Sequence, residues 1–399
     1  MKILMLCILL VSVNAQTSWS GFRGDGNSHS VAKNLPISWS DTKGVAWKFS
    51  ISDYGQSSPV IWEDKVFVTS NEGNMKETLC IYCIDLKKGS LLWKKTFPSS
   101  VKSKRNKMVA QAASTPVVDG KGLYAFFESG DLIAVDFEGN ILWQRILTKE
   151  YGSFKGNHGI GSSLAQTTNS VIVFVEHEGP SYLMSIDKKT GKNIWKNNHS
   201  ARVSWTSPLV SQNEIIISSN GSVEVYSTSD GKLLWFINGI KKNTVPSPSC
   251  NKDIIVIGSS AKNWCMAIRR TGKAKVMWNA NVASSFASPL ITTDNVYFVN
   301  RAGIVFCLNL LTGKKRWSSR LPSSVWASPI NVGDYVYFFC KDGTTIIAKE
   351  NSEKLQQISL NKLSVGKTLV YGVAVTDNYF VFRTGKEIIA VSTVEFKNN

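Results

Sequence analysis

A hydroxyl-rich motif that ends in proline recurs along the chain and constrains its fold more than any other feature. Its copies are Ser57-Ser58-Pro59, Ser114-Thr115-Pro116, Thr206-Ser207-Pro208, Ser247-Pro248, Ser288-Pro289 and Ser328-Pro329. A degenerate copy, Ser162-Ser163-Leu164, lies between the second and the third, and residues 371–374 form a poorer last copy. From Pro59 onward the copies are 57, 48, 44, 40, 41, 40 and about 43 residues apart. A period of this length is typical of a chain built from repeated structural units.

A second landmark closes the repeats: a tryptophan that follows a glycine turn. The tryptophans are Trp93, Trp143, Trp195, Trp235, Trp278 and Trp317. The turns before them contain Lys88-Gly89, Glu138-Gly139, Thr190-Gly191, Asp230-Gly231, Thr271-Gly272 and Thr312-Gly313. Glycine supplies the positive φ of a tight hairpin turn, and apolar residues alternate between the landmarks. Each repeat is therefore predicted to form four short strands, which is the size of one propeller blade.

Eight repeats can be counted, and the eighth lacks an outer strand of its own. It runs from Val373 to Ala390 without a closing glycine turn and tryptophan, whereas residues 44–49 form a strand-like run around Trp47. We predict that this run completes the last blade, because an N-terminal strand there removes an exposed sheet edge. The predicted fold is all-β, an eight-bladed β-propeller of four-stranded blades whose ring is closed by an N-terminal strand. The predicted segments are a signal peptide (1–15), a leader (16–43), the propeller (44–392) and a C-terminal tail (393–399).

The turn-and-tryptophan motif resembles that of a known family. Copies run from Cys83 to Trp93, from Ser185 to Trp195 and from Cys307 to Trp317. They resemble the tryptophan-docking motif of pyrroloquinoline-quinone (PQQ)-type propellers, which include quinoprotein alcohol dehydrogenases and BamB-type outer-membrane assembly factors. The segments Trp19-(2 residues)-Phe22-Arg23-Gly24 and Leu35-Pro36-(2)-Trp39 are similar to the leader of exported bacterial members. The resemblance implies that each tryptophan docks between adjacent blades, but the repeat is structural and leaves the activity open.

The N-terminus predicts export. Lys2 precedes an apolar run from Ile3 to Val13, and Ala15 provides a small residue for cleavage. This is the pattern of a secretory signal peptide, so we expect a periplasmic or secreted protein cleaved after Ala15. Beyond it, no run of about 18 uncharged apolar residues occurs, and we expect no membrane span.

The charge is strongly positive, with 46 basic and 29 acidic residues giving +17. Many basic residues fall in the glycine turns, which should emerge on one face of the disc. The candidate basic face comprises Lys88, Lys189, Arg269, Arg270, Lys314 and Lys315. A second basic cluster, residues 102–107, should emerge on the other face. An exported protein meets little nucleic acid, so the expected partner is an envelope protein or an anionic polysaccharide; the alternative is a solvated rim.

A candidate binding rim follows from the position three residues before each motif proline, where the innermost strand begins. Four of its occupants are candidate channel-mouth binding residues: Gln56, Trp205, Phe286 and Trp326. The other occupants are Ala113, Gly161 and Val245, and the eighth is either Leu369 or Tyr371. Aromatic rings there could stack on a sugar, a peptide side chain or a flat ring. The alternative is that they fill the channel as packing.

Nothing in the sequence singles out a catalytic centre. If the resemblance extended to the quinoprotein dehydrogenases, it would imply PQQ bound near the channel and a calcium ion held by Glu, Asn and Asp. It would also imply a catalytic Asp and usually a disulfide between adjacent cysteines. This chain has no adjacent cysteine pair, and its acidic residues show no calcium spacing. We therefore expect no cofactor, metal or catalytic residue, with PQQ and calcium as the alternative.

Two further motifs are better explained by a structural role than by chemistry. Cys80 and Cys83 lie at an odd spacing on a predicted strand, which directs their side chains to opposite faces and disfavours a redox or metal pair. His158 lies in a glycine-rich segment that opens no helix, so an inter-blade loop is expected there rather than a phosphate site. The sequence favours a monomeric, exported, non-catalytic binding or scaffold protein. The alternatives are a PQQ-dependent oxidoreductase and a carbohydrate-binding or polysaccharide-active propeller.

Overall fold

Each repeat folds into a short antiparallel sheet, as its alternating apolar residues and glycine turns predict. The computed structural model describes residues 18–104, 110–272, 274–350 and 353–393. Within these ranges the chain forms 33 strands and one five-residue helix, arranged as eight sheets. Two strands precede the first complete blade: β1 (His29–Ser30) and β2 (Val45–Ser50). The predicted signal peptide lies outside the described residues.

The first four blades follow one another along the chain, each written from its innermost to its outermost strand. Blade 1 contains β3 (Val60–Trp62), β4 (Lys65–Glu72), β5 (Thr78–Asp85) and β6 (Leu91–Pro98). Blade 2 contains β7 (Val117–Asp119), β8 (Gly122–Phe126), β9 (Asp131–Val135) and β10 (Ile141–Ile146), and helix α1 (Leu147–Tyr151) follows it. Blade 3 contains β11 (Ala165–Gln166), β12 (Ser170–Val175), β13 (Ser181–Asp187) and β14 (Asn193–His199). Blade 4 contains β15 (Leu209–Ser211), β16 (Glu214–Ser218), β17 (Gly221–Ser227) and β18 (Leu233–Ile240).

The second four blades complete the ring. Blade 5 contains β19 (Ser249–Cys250), β20 (Ile254–Ile257), β21 (Cys265–Arg269) and β22 (Lys275–Ala280). Blade 6 contains β23 (Leu290–Ile291), β24 (Asn295–Val299), β25 (Ile304–Asn309) and β26 (Lys315–Arg320). Blade 7 contains β27 (Ile330–Val332), β28 (Tyr335–Phe339), β29 (Thr344–Lys349) and β30 (Gln357–Lys362), with β1 added in parallel to β27. Blade 8 contains β31 (Gly372–Thr376), β32 (Tyr379–Arg383), β33 (Glu387–Ser392) and β2.

The last blade is shared between the two ends of the chain, which confirms the predicted closure. Strand β2 pairs antiparallel with β33, in a register that runs from Val45 opposite Val391 to Ser50 opposite Glu387. The eight-bladed fold of four-stranded blades is therefore confirmed. The apolar core lies between neighbouring blades, in seven clusters that each join adjacent sheets.

The tryptophans of the repeat join neighbouring blades. Five of them donate their indole N–H to a backbone carbonyl of the next blade: Trp47 to Leu86, Trp93 to Phe137, Trp143 to Lys188, Trp195 to Thr228 and Trp278 to Leu310, at 2.7–3.1 Å. The ring lies on the glycine of the next turn, and a Cβ added at Gly89 would lie 2.4 Å from Trp47. Docking between blades is confirmed at these five positions.

The hydroxyl of the proline motif links the inner strands of blades 1 to 7, each to the next. The backbone N–H of the motif residue in one blade donates to the side-chain oxygen of its equivalent in the next, at 2.9–3.0 Å. From blade 1 to blade 7, each residue donates to the one named after it: Ser58, Thr115, Ser163, Ser207, Ser247, Ser288 and Ser328. Blade 8 has Gly372 at this place, because a Cβ there would lie 2.0 Å from the Ser58 Oγ. This close approach explains why the last copy of the motif is poor.

The six described cysteines are all free and buried. Cys80 belongs to the cluster around blades 7, 8 and 1, whereas Cys83 belongs to the cluster between blades 1 and 2. The two side chains therefore lie on opposite faces of their sheet, as predicted. Burial raises the pKa of both thiols to about 12. No helix among the described residues is long and apolar enough to cross a bilayer.

Candidate functional site

A cavity of about 580 Å³ occupies the centre of the ring. The position three residues before each motif proline lines it in all seven blades that have the motif: Gln56, Ala113, Gly161, Trp205, Val245, Phe286 and Trp326. These side chains are partly exposed, while the residue that follows each of them is buried in most blades, as Ser57 and Thr206 are. Leu369 and Tyr371, the two alternatives in blade 8, both line the cavity. The structure thus brings the predicted rim together, and ligand binding by it stays a prediction.

The leader forms the floor of this cavity. Trp19 exchanges two backbone hydrogen bonds with Ile61 in blade 1, at 2.8 and 3.0 Å. Arg23 donates to the Pro248 carbonyl (3.1 Å) and to Ser249 Oγ (2.6 Å) in blade 5, on the opposite side of the ring. The leader then continues to blade 7 through β1. It contacts the ends of the inner strands, so the channel is closed at the face where the glycine turns lie.

We call the opposite, open side the mouth face. It contains the starts of the inner strands and the turns between the second and third strands of each blade. Ser103, within the second basic cluster, donates its N–H to the Met75 carbonyl (2.9 Å), which lies in such a turn of blade 1. This bond places the start of the cluster on the mouth face. The cluster residues Lys102 and Lys104 are exposed on this face, as predicted. The rest of that cluster, 105–107, lies outside the described residues.

An aromatic and cationic cleft lies at the mouth over blades 6, 7 and 8. It consists of Phe286, Arg301, Trp326, Lys341 and Tyr371. The rings of Phe286 and Trp326 stack with centroids 4.6 Å apart and an interplanar angle of 11°, and Tyr371 meets Trp326 edge to face at 5.9 Å. The Lys341 Nζ lies 4.9 Å from the centroids of both stacked rings. The rings therefore hold a cation at the mouth.

Burial and the neighbouring Arg301 lower the pKa of Lys341. Neither cation forms an ion pair with a carboxylate in the part of the chain that the structure describes. Sequence reasoning missed both residues, because neither belongs to a repeated motif. A shared spacing could have found them, since each lies twelve residues after its motif proline, Pro289 or Pro329.

A second, smaller cavity of about 150 Å³ adjoins the first near Trp205. The Trp205 indole donates to the Gly159 carbonyl (2.8 Å) and faces His158 with ring centroids 5.7 Å apart. His158 lies in a loop between blades 2 and 3, as predicted, and lines both cavities. Glu176 also lines the smaller cavity, where it accepts from Arg202 at 3.0 Å and from Ser219.

The candidate basic face is placed as predicted except at one residue. Lys88, Lys189, Arg269, Lys314 and Lys315 are exposed in or beside the glycine turns. Arg270 is not part of that surface: only 6% of it is exposed, and it pairs with Glu214 and donates to the Ser211 carbonyl. The prediction was wrong there because the next position in the turn points into the gap between blades 4 and 5, where a carboxylate meets it. Binding by the other five residues stays a prediction.

Comparison with known proteins identifies the family. The family model described as outer membrane protein assembly factor BamB matches residues 21–156 and 139–358. The chain belongs to this family. A BamB from Moranella endobia is 24% identical over 226 residues, which cover 52% of this chain and 57% of that protein. The chain spans about half the length of the curated BamB relatives it matches, at 57% and 41%.

Solved structures extend the likeness in fold. BamB from Moraxella catarrhalis has a TM-score of 0.62 at 15% identity, covering 87% of this chain and 99% of that one. The quinohemoprotein alcohol dehydrogenase from Comamonas testosteroni has a TM-score of 0.68 at 12% identity, covering 96% of this chain and 82% of that one. The chain thus shares its propeller fold with both an assembly factor and an alcohol dehydrogenase, and the fold alone does not choose between these two kinds of function.

The residues around the cavity do not fit calcium with a quinone. Calcium takes carboxylate and carbonyl oxygens, and none of the lining residues is Asp or Glu. Three acidic residues outside this lining are paired with cations: Glu72 with Lys94, Glu128 with Lys76 and Glu176 with Arg202. In the described ranges, no three His, Cys, Asp or Glu residues are grouped to hold a metal. The expectation that the protein carries no cofactor or metal stays a prediction.

Proposed function

We propose that the protein is an exported, non-catalytic binding or scaffold protein of the cell envelope. The observation that carries this proposal is the central cavity, which the leader closes at one face and which opens at the other onto a cleft of rings and unpaired cations. A pocket with convergent polar groups and an apolar wall suits the binding of one partner group. Membership of the BamB family supports a binding role over catalysis.

The partner docks on the mouth face rather than on the candidate basic face, which we take to be a solvated rim, and it is an envelope protein or an anionic polysaccharide. Unpaired positive charge at the mouth favours a negatively charged partner and speeds its encounter. The signal peptide predicted at residues 1–15 places the protein in the periplasm or outside the cell. There it meets little nucleic acid, whose binding would otherwise suit a charge of +17.

Photo-crosslinking in the producing cells tests the docking face. The photoreactive residue p-benzoylphenylalanine is introduced in place of Lys102 on the mouth face, and separately in place of Lys189 on the glycine-turn face. Both lysines are exposed, so neither replacement disturbs the core. We expect light-dependent adducts from position 102 and none above background from position 189. Equal adducts from both positions, or none from position 102, would contradict the proposal.

Reconstitution tests the absence of catalysis. The purified protein is incubated with PQQ and calcium, desalted, and assayed for a retained quinone absorbance and for dye-linked alcohol oxidation. We expect neither, because the cavity offers no carboxylate for the metal. A retained chromophore together with alcohol turnover would overturn the non-catalytic role.

A further inference from the structure

The lining of the central cavity is rich in hydroxyl groups, and none of its described residues is Asp or Glu. Six hydroxyl residues of the proline motif line it: Ser58, Thr115, Ser163, Ser207, Ser247 and Ser328. Five of these oxygens already accept a backbone N–H from the preceding blade. Each hydroxyl still carries a proton that it can donate. A ligand with acceptor oxygens can bond to these six hydroxyls, which we call the serine belt.

The cavity is also surrounded by cations without carboxylate partners. Lys341 and Arg301 lie together at the mouth, where two like charges destabilise each other unless an anion joins them. The stack of Phe286 and Trp326 holds the Lys341 ammonium in place of a carboxylate. No described residue accepts a hydrogen bond from Lys341 Nζ, so its N–H donors remain available to a ligand.

Two buried arginines add positive charge from the floor and the wall. Arg23 lines the floor, and among the described residues its guanidinium donates to the neutral groups Ser28, Ser249 and the Pro248 carbonyl, with the Asp25 carboxylate nearby but not paired with it. Arg383 lies behind the wall, next to the hydrogen-bonded Tyr54–Tyr371 pair, and donates to the Gly55 carbonyl (3.1 Å) and the Thr69 carbonyl (3.0 Å). Its Nη1 has no partner among the described residues. A buried charge without a counterion is costly, and an anion in the cavity would offset that cost.

Resting on the proposed binding function, we propose that the cavity binds the end of an acidic saccharide that carries carboxylates, such as a uronate chain. Its carboxylate pairs with Lys341 and Arg301, its hydroxyl and ring oxygens accept from the serine belt, and its apolar C–H groups lie against Trp326 and Tyr371. A volume of about 580 Å³ is in the range of small-ligand pockets. Because the leader closes the floor, a polysaccharide enters by its terminal sugars and does not thread through the ring.

Calorimetric titration of the mature protein at low ionic strength tests the ligand class. The probes are tetragalacturonate and the neutral maltotetraose, and the variants are Lys341→Gln and Arg301→Gln. Lys252→Gln is the matched control, since it removes the same charge from an exposed turn of blade 5 on the opposite face, outside the candidate basic face. We expect tetragalacturonate to bind and maltotetraose not to bind. Each mouth variant should weaken binding about tenfold or more, because a charge-assisted hydrogen bond contributes about 1.5–3 kcal/mol, and the control should leave it unchanged.

Other outcomes would overturn the inference. Equal binding of maltotetraose would show that charge does not select the ligand, and equal weakening by Lys252→Gln would show that net charge, and not the two cations at the mouth, determines the affinity. Binding of tetraglutamate as tight as that of tetragalacturonate would reassign the cavity to an acidic peptide. If crosslinks form at position 102 while tetragalacturonate fails to bind, the ligand class is wrong and the proposed function stands. If crosslinks fail as well, the proposed function is wrong too.

Discussion

Replacing Trp47 by Ala should lower the free energy of unfolding by about 3–5 kcal/mol, the usual cost of deleting a buried aromatic ring. The side chain is 7% exposed, donates to the Leu86 carbonyl at 2.7 Å and covers Gly89 of blade 1. It also stands on β2, the strand that closes the ring. The substitution therefore weakens both the blade 8–blade 1 contact and the closure of the propeller, and urea unfolding followed by circular dichroism measures the loss.

Trp47→Phe and Trp93→Ala are the controls for this prediction. The phenyl ring keeps most of the apolar contact and loses one hydrogen bond, so Phe should cost only about 1–2 kcal/mol. Trp93 makes the same contact between blades 1 and 2, where both strands are consecutive in the chain. A loss below about 1 kcal/mol for Trp47→Ala would mean that the N-terminal strand does not hold the ring together.

Replacing Trp19 by Ala should have a similar cost of about 3–5 kcal/mol and should also release the leader from the cavity floor. Trp19 is 2% exposed, its ring lies 3.0 Å from where a Cβ of Gly24 would be, and it lines the cavity. Without it, the buried Arg23 should become accessible, because the segment that holds it loses its anchor on blade 1. Trypsin cleavage after Arg23, followed by mass spectrometry, measures this release.

Trp39→Ala separates the release of the floor from a general loss of stability. Trp39 is equally buried in the leader, but it packs on Phe380 and Phe382 between blades 7 and 8 and does not line the cavity. It should cost comparable stability while Arg23 stays protected from trypsin. Protection of Arg23 in the Trp19 variant would contradict the role of the leader as the floor.

The repeat made most of the fold predictable. Its period gave eight blades, the unpaired Trp47 indicated the closing strand, and the position before each proline indicated the residues around the cavity. These predictions succeed because the same residues make the same packing contacts in every repeat. The path of the leader could not be predicted in this way, because Phe22-Arg23-Gly24 is not part of the repeat. The partners of the leader in blades 1 and 5 lie far away in sequence, so no pattern shows that the leader crosses the channel.

The charged residues were harder to place than the rings. Arg269 and Arg270 are neighbours in one turn, yet the first is exposed and the second is paired with Glu214 of another blade. Burial of this arginine depends on a carboxylate in the preceding repeat, and that pairing has no signature in the turn itself. Lys341 and Arg301 were missed for the same reason. What distinguishes them is the aromatic rings around Lys341 and the lack of a carboxylate partner among the described residues.

A crystal structure of the protein with tetragalacturonate tests the central claim most directly. We predict sugar density inside the cavity, with a carboxylate at about 3 Å from the Lys341 ammonium, the terminal ring beside Trp326 and Tyr371, and the leader in place across the floor. Sugar density on the glycine-turn face with an empty cavity, or a leader displaced so that the saccharide threads through the ring, would contradict this account.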